Sequence, residues 1–247
     1  MGDVPLFGPF SRKGSYSRVT VLDDFNADNR FMRLHQETMQ LAEIDELTFY
    51  RRYLNRNDRV LVYGTFDPGL FNTLSEEGYD LYLVEPEASR LNGISSRFMH
   101  KVYGLSYDLI DAVGYEAFEK LILPGTTVAR YSRGELLLFF RNIRQLLTTD
   151  GQLLVNVHNA KHLKQQTQPI ASKRVKDCAL FYGQKVEGER LILNLYLKSD
   201  QDEKVSYAVE HLYEPTTLFE FAKLSKYAGR TLYAGKTVHI LEFDKLG

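Results

Sequence analysis

Apolar positions along the chain recur with two periods, and the switches between them mark out the elements. Residues 1–22 follow neither period. With Pro5, Gly8, Pro9 and Gly14 they predict an extended, loosely docked arm, mildly basic through Arg12, Lys13 and Arg18. From Asn29 to Leu54 the period is helical: Phe31, Leu34 and Thr38 share one face, and Ile44, Leu47, Phe49, Tyr50 and Tyr53 follow. Two helices broken near Glu43 to Asp45 are expected there. Short continuous apolar runs then alternate with helical stretches. Arg59 to Tyr63, Asp80 to Val84 and Phe118 to Leu123 predict strands buried on both faces, with a weaker strand at His100 to Tyr103. Between them, Leu70 to Glu77 predicts a helix closed by Gly78, and Pro86 opens a helix through Arg97.

The clearest helix starts at Ser132, which with Glu135 has the spacing of a capping box. Leu136, Phe139, Phe140, Ile143 and Leu147 continue it, a turn at Thr148 to Gly151 ends it, and Gln152 to Val157 is a further buried strand. Such alternation with short loops implies right-handed crossovers and a largely parallel sheet with helices on both faces. After His158 the period becomes that of antiparallel strands, with a hairpin of Leu191 to Lys198 and Val205 to Tyr213 across the turn Ser199 to Glu203. A helix at Pro215 to Tyr227 and strands at Arg230 to Tyr233 and Thr237 to Phe243 complete the pattern. No linker composition interrupts it. One domain over 1–247 is expected, with an arm at 1–28, a core at 29–160 and an antiparallel insertion at 178–213.

Composition narrows the partners. Thirty-one Lys and Arg nearly cancel 32 Asp and Glu, a formal charge of -1, whereas a surface that neutralises a phosphate backbone carries a basic excess. The single cysteine, Cys178, excludes an internal disulfide and a Cys-rich zinc site and suits a reducing cytoplasm. None of the six histidines has metal-ligand spacing. Met1 to Phe10 lacks the basic and apolar regions of a secretory leader, and the longest apolar run, Leu136 to Phe140, is far short of the ~20 residues of a membrane helix. A soluble, cytoplasmic protein without metal is expected.

In an open parallel sheet, ligands sit beyond the carboxyl ends of the strands where the strand order switches. The loop Gly64 to Gly69 is therefore the candidate site. Its outer glycines have P-loop spacing, but Leu70 and Phe71 replace the Lys and Ser/Thr that grip phosphate and magnesium. A dinucleotide fingerprint needs a second glycine where Phe66 stands. An S-adenosylmethionine site has no diphosphate and so demands less of the loop. It does need an acid at the end of the second strand to accept from two ribose hydroxyls. Glu85 lies 21 residues after Gly64, near the ~20-residue offset of a ribose-binding acid. The competing role for Glu85 is to cap the segment that Pro86 opens.

Arg59 to Leu91 (RVLVYGTFDPGLFNTLSEEGYDLYLVEPEASRL) resembles the opening of class I S-adenosylmethionine-dependent methyltransferases. Glu43 to Leu54 is similar to the helix before that loop in small-molecule members, and Phe118 to Tyr131 resembles their fourth strand and following turn. The likeness covers roughly residues 30–160. It implies a Rossmann-like, seven-stranded, mostly parallel sheet with an antiparallel last strand and an inserted antiparallel hairpin. Carried over by position, it implies cofactor contacts at Gly64, Thr65, Asp67, Gly69 and Glu85, with Gly125 and Thr126 near the methionine part. Three departures stand out. Val62 takes the place of the acid before the glycines, Phe66 and Pro68 replace glycines, and Leu105 or Ser106 aligns with the acid that contacts adenine.

Methyl transfer from a sulfonium is a direct displacement, so alignment of the reacting groups matters most and a base only where the acceptor loses a proton. His158, just after the fifth strand, is the candidate base, with a polar strand end as its competing role. Arg130, Tyr131 and Asn159 follow strand ends and are candidates to contact the acceptor. Leu123 to Thr126 lacks the Asn-Pro-Pro-aromatic signature of DNA amino-methyltransferases, which with the charge favours a small-molecule acceptor over nucleic acid. Tyr182, Tyr196, Tyr207 and Tyr213 cluster in the insertion, a segment that in the family covers the acceptor pocket or forms a dimer contact; Tyr182 and Tyr213 are the substrate candidates. The expected function is methyl transfer to a small molecule. The alternative, motivated by the altered loop, is a methyltransferase-fold protein that has lost transfer and serves as a partner subunit or ligand-binding module.

Overall fold

The computed structural model describes residues 5–22, 45–64, 68–165, 170–175, 178–200 and 202–247. In chain order the elements are α1 (Gly8–Gly14), β1 (Val19–Leu22), α2 (Glu46–Tyr53), β2 (Arg59–Tyr63), α3 (Pro68–Glu76), β3 (Asp80–Val84), β4 (Val102–Tyr103), α4 (Ser106–Val113), β5 (Phe118–Leu123) and α5 (Arg133–Arg144). There follow β6 (Leu147–His158), α6 (Ala160–Gln165), β7 (Ala171–Val175), β8 (Cys178–Glu187), β9 (Arg190–Lys198), β10 (Glu203–His211), α7 (Pro215–Leu224), β11 (Tyr227–Ala234) and β12 (Val238–Lys245). They fall into two compact units: 1–40 with 161–212, and 41–160 with 213–247.

The larger unit holds a seven-stranded sheet in the order β11-β12-β6-β5-β2-β3-β4. β2 to β6 pair in parallel and β12 runs antiparallel to β6, as the resemblance implies. Period-two alternation sends successive residues to opposite faces. Leu61, Leu121, Leu123, Leu153 and Val155 pack with Leu109 of α4, the buried face of α5 and Leu218 and Ala222 of α7. Val60, Val62, Leu81, Leu83, Ile122 and Leu154 pack with Tyr50 of α2 and Phe71 and Leu74 of α3. Two cores, one on each face, therefore hold the sheet.

The helix boundaries follow local chemistry. Asp45 caps α2 by accepting from the Thr48 N–H (3.2 Å), at the expected break. Gly78, at φ +89°, closes the turn after α3. The Ser132–Glu135 capping box forms on α5 with both of its bonds. The expected helix at Asn29 to Glu43 lies outside the described residues.

Three expectations need correction. The segment after Pro86 is not a helix through Arg97 but two short 3-10 turns, Ala88–Leu91 and Ser96–Lys101, because Glu85 accepts from the Glu87 N–H (2.9 Å) and diverts the chain. Leu147 does not continue α5. It opens β6 opposite Phe118, and the expected turn at Thr148 to Gly151 lies within the strand as an irregularity before Lys120 pairs with Gln152. The helix after Pro215 stops at Leu224, and Tyr227 begins β11.

The smaller unit is a five-stranded sheet, β1-β10-β9-β8-β7, antiparallel except for β1, which pairs in parallel with β10. The expected hairpin of β9 and β10 is its centre. The N-terminal segment is not a loosely docked, extended arm. Pro9 starts α1, Phe10 buries against Val19, Tyr196 and Val205, and the Asn194 amide accepts from the Phe7 N–H (2.9 Å) and donates to the Pro5 carbonyl (3.1 Å).

Candidate functional site

In the larger unit the strand order reverses at β2, with β3 and β4 to one side and β5 and β6 to the other. The chain after β2 leaves the sheet through Gly64, whose N–H donates to the Val84 carbonyl (2.8 Å). Gly64 is buried at φ +84°, and a Cβ there would stand 3.0 Å from the Thr127 Cγ2. Only glycine lets the backbone approach this closely. Thr65 and Asp67 lie outside the described residues, and Gly69 is exposed on the first turn of α3.

Glu85 stands at the end of β3, its N–H on the Tyr103 carbonyl (2.9 Å) and its side chain fully buried. Its Oε1 accepts from the Glu87 N–H (2.9 Å) and lies 3.9 Å from Arg90 Nη1. The capping role and a buried carboxylate at the switch point are thus properties of one residue.

Beyond β5, Gly125 is buried at φ +60° and Thr126 is half-buried at the start of the turn Thr127–Arg130. The Thr127 hydroxyl donates to the Pro124 carbonyl (2.8 Å). The Gly125 N–H donates to Glu46 Oε1 of α2 (3.2 Å), which also accepts from the Asn156 amide. The Tyr50 hydroxyl reaches Asn156 Oδ1 at 3.5 Å, and burial, then the Glu46 charge, raises the Tyr50 phenol well above its ordinary pKa. This network fastens α2 to the ends of β5 and β6.

On the α4 and α5 side a cleft of about 220 Å³ opens between Tyr63, Ser106, Tyr131, Glu135, Phe139 and Asn142. Its walls are aromatic. Tyr131 stacks on Phe139 (centroids 5.1 Å, planes at 27°) and Tyr63 meets the same ring edge-on (5.2 Å). Burial raises the Tyr63 pKa, a hydrogen bond with Ser106 opposes it, and the Glu85 charge adds to it. Burial also raises the Tyr131 phenol, with smaller contributions that include the Tyr63 and Glu85 charges. Tyr63, the last residue of β2 and the neighbour of Gly64, thus joins the cleft to the switch point.

The remaining candidates are dispersed. His158 ends β6 and is buried, and the next residue, Asn159, donates its amide to the Gly235 carbonyl (3.1 Å) and its N–H to the Thr237 carbonyl (2.8 Å). Arg130 is exposed. Tyr213 is buried in the α5-side core and donates to the Tyr131 carbonyl (2.6 Å), which positions the cleft wall. Tyr182 lies on β8 in the smaller unit, half-buried opposite Ala171 and Leu195. Local pattern pointed to neither Glu46 nor Arg90, because the groups each meets come from other elements.

No family pattern matches the chain, and no curated protein does. Solved structures match its shape. An S-adenosylmethionine-dependent methyltransferase from Clostridium acetobutylicum ATCC 824 superposes with a TM-score of 0.67 at 11% identity, covering 90% of this chain and 100% of that one. The fold is that of the class I methyltransferases. The sugar N-methyltransferase KedS8 from Streptoalloteichus sp ATCC 53650 matches at 0.59 and 12% identity, over 100% of this chain and 98% of that one. CalS10, an amino pentose methyltransferase from Micromonospora echinaspora solved with S-adenosylmethionine bound, matches at 0.55 and 11% identity over 88% and 95%. By position in that fold, β2 is the first strand and Glu85 ends the second, with Leu105 and Ser106 after β4. The buried carboxylate, the glycine cradle and the aromatic cleft beside them suit a nucleoside. Among the described residues no helix is long and apolar enough to cross a membrane.

Proposed function

We propose that the protein is an S-adenosylmethionine-dependent methyltransferase acting on a small-molecule acceptor. The observation that carries this reading is the buried Glu85 carboxylate at the switch point, beside a glycine at φ +84° whose Cβ would stand 3.0 Å from Thr127. The cofactor supplies an electrophilic methyl group on sulfur when bound. Glu85 accepts from the ribose hydroxyls, Gly64 admits the backbone to the ligand, and Tyr63, Tyr131 and Phe139 enclose the base with Ser106 at its polar edge. The resemblance adds Thr65, Asp67 and Gly69 as cofactor contacts after β2, and Gly125 and Thr126 toward the amino-acid end. His158 takes the proton that an amine or hydroxyl acceptor loses, at an imidazole nitrogen. Of the other acceptor-side candidates, Arg130, Asn159 and Tyr213 lie in the larger unit with this site, and Tyr182 lies in the smaller one. The amino-sugar substrates of two structural neighbours favour an amine-bearing acceptor. The balanced charge weighs against nucleic acid, and the reading includes a cytoplasmic setting and a homodimer formed through the inserted strands.

A ligand-binding module without transfer is the second reading, favoured by the Gly125 N–H being engaged by Glu46. Calorimetric titration with S-adenosylmethionine and S-adenosylhomocysteine tests both. Micromolar binding that Glu85→Ala weakens by about 1–3 kcal/mol, the loss for unmet polar partners, supports the cofactor site. No heat at millimolar ligand overturns it. Tight binding without methyl transfer to any amine or hydroxyl acceptor selects the second reading.

A further inference from the structure

Arg90 is carried back over the end of β3 by two successive turns. The Glu87 N–H donates to Glu85 Oε1, and the Arg90 N–H donates to the Glu87 carbonyl (2.9 Å). The Arg90 side chain is only 12% exposed, and its Nη1 stands 3.9 Å from the fully buried Glu85 carboxylate. At that distance the pair is in charge contact without a hydrogen bond. The Arg90 Nε is also buried and meets no acceptor among the described residues. A guanidinium presents five donors in a rigid fork and never gives up its charge, so an interior arginine is normally surrounded by acceptors. This one keeps an unmet donor beside the carboxylate at the switch point.

A ribose hydroxyl both donates one hydrogen and accepts through its oxygen. A carboxylate alone serves only the first of these. We propose that Arg90 and Glu85 form a two-sided clamp for a vicinal diol, the carboxylate accepting from the hydroxyl hydrogens and the guanidinium donating to the hydroxyl oxygens. The clamp rests on the nucleoside reading of this site and adds to it a specificity-determining residue. It makes the site a reader of the intact diol, because removing the hydroxyls takes from the guanidinium and the carboxylate the partners that the diol would supply.

The test compares adenosine with 2′,3′-dideoxyadenosine, each competing against S-adenosylhomocysteine in calorimetry of the full chain. The wild type is expected to prefer adenosine at least tenfold. Arg90→Met is expected to cut that preference to threefold or less while leaving the dideoxynucleoside affinity within twofold of wild type, and Arg90→Lys to restore part of it. An unchanged preference in Arg90→Met, or an equal loss for both ligands, overturns the clamp, the second result marking Arg90 as structural. Should Arg90→Met not fold, Arg90→Lys carries the comparison: a preference equal to wild type overturns the fork's role. A wild type that binds S-adenosylhomocysteine but does not discriminate the diol overturns the clamp alone. A wild type that binds none of the three ligands removes the cofactor site and the clamp with it.

Discussion

Gly64→Ala tests how tightly the first loop is built, and its effect divides into two parts. The backbone at φ +84° lies in the left-handed region, where a side chain costs about 1–2 kcal/mol. The new methyl would also stand 3.0 Å from the Thr127 Cγ2, inside the ~3.5–4.0 Å of an ordinary carbon contact. Overpacking of this kind costs about 1–3 kcal/mol, here at the lower end because one methyl meets one methyl. The expected destabilisation is therefore about 2–4 kcal/mol. Thr127→Ser removes the opposing methyl and keeps the hydroxyl that bonds the Pro124 carbonyl, so it isolates the second part. Urea unfolding of the wild type, both single variants and the double variant provides the cycle, with a constant m-value showing that all four unfold alike. The double variant should be less destabilised than the sum of the singles by about 1 kcal/mol. The expected loss of S-adenosylhomocysteine affinity in Gly64→Ala should persist in the double variant, since it follows the backbone. Destabilisation below about 0.5 kcal/mol, or strict additivity, would refute the close packing of this loop against Thr127.

Further expectations concern the supports of the site. Ser132→Ala removes the cap of α5 and should cost about 1 kcal/mol in the same unfolding assay. Tyr213→Phe leaves the Tyr131 carbonyl without its donor, so stability should fall by about 1–2 kcal/mol and ligand affinity with it; an unaltered affinity would separate Tyr213 from the cleft. Glu242 is buried on β12 with Arg230 as its ion-pair partner, and burial, then the Asp244 charge, raises its carboxyl above the ordinary 4.5. The folded state thus holds this proton more tightly than the unfolded state. That contribution is complete below the unfolded pKa and is lost as pH rises through the folded one. Glu242→Gln should therefore gain on the wild type between acid and neutral pH, and a flat difference in stability across that range would contradict the shift.

What could be read from the chain depended on how far away each residue's decisive neighbour lies. β2, β3 and β5 announced themselves because strands buried on both faces carry continuous apolar runs, here residues 60–62, 81–84 and 121–123, and α5 because its cap is written in Ser132 and Glu135. Leu147 misled because it stands four residues after Ile143, at helical spacing, while Phe118 on another strand decides its place. Pro86 is a fair helix opener, yet the neighbouring carboxylate captured the Glu87 N–H first. Glu85 itself was legible by its offset from Gly64. The network at Glu46 was not, since its partners Gly125 and Asn156 lie 79 and 110 residues away. The arm was misread for the same reason: nothing near Val19 hints at a partner strand beginning at Glu203.

That last pairing has a consequence for how the molecule is made. β1 leaves the ribosome well before β10, its partner, since the pairing joins Val19 to Glu203 and Leu22 to Ser206. Contacts so distant along the chain close slowly, because the entropy of a long loop must be lost before any pairing rewards it. Until β10 is made, β1 keeps unpaired N–H and carbonyl groups, the kind of surface on which strands of other chains assemble. Its brevity, four residues between basic and polar neighbours, limits that hazard. The smaller sheet is therefore completed by an old strand joining a new one, and its assembly waits for β10.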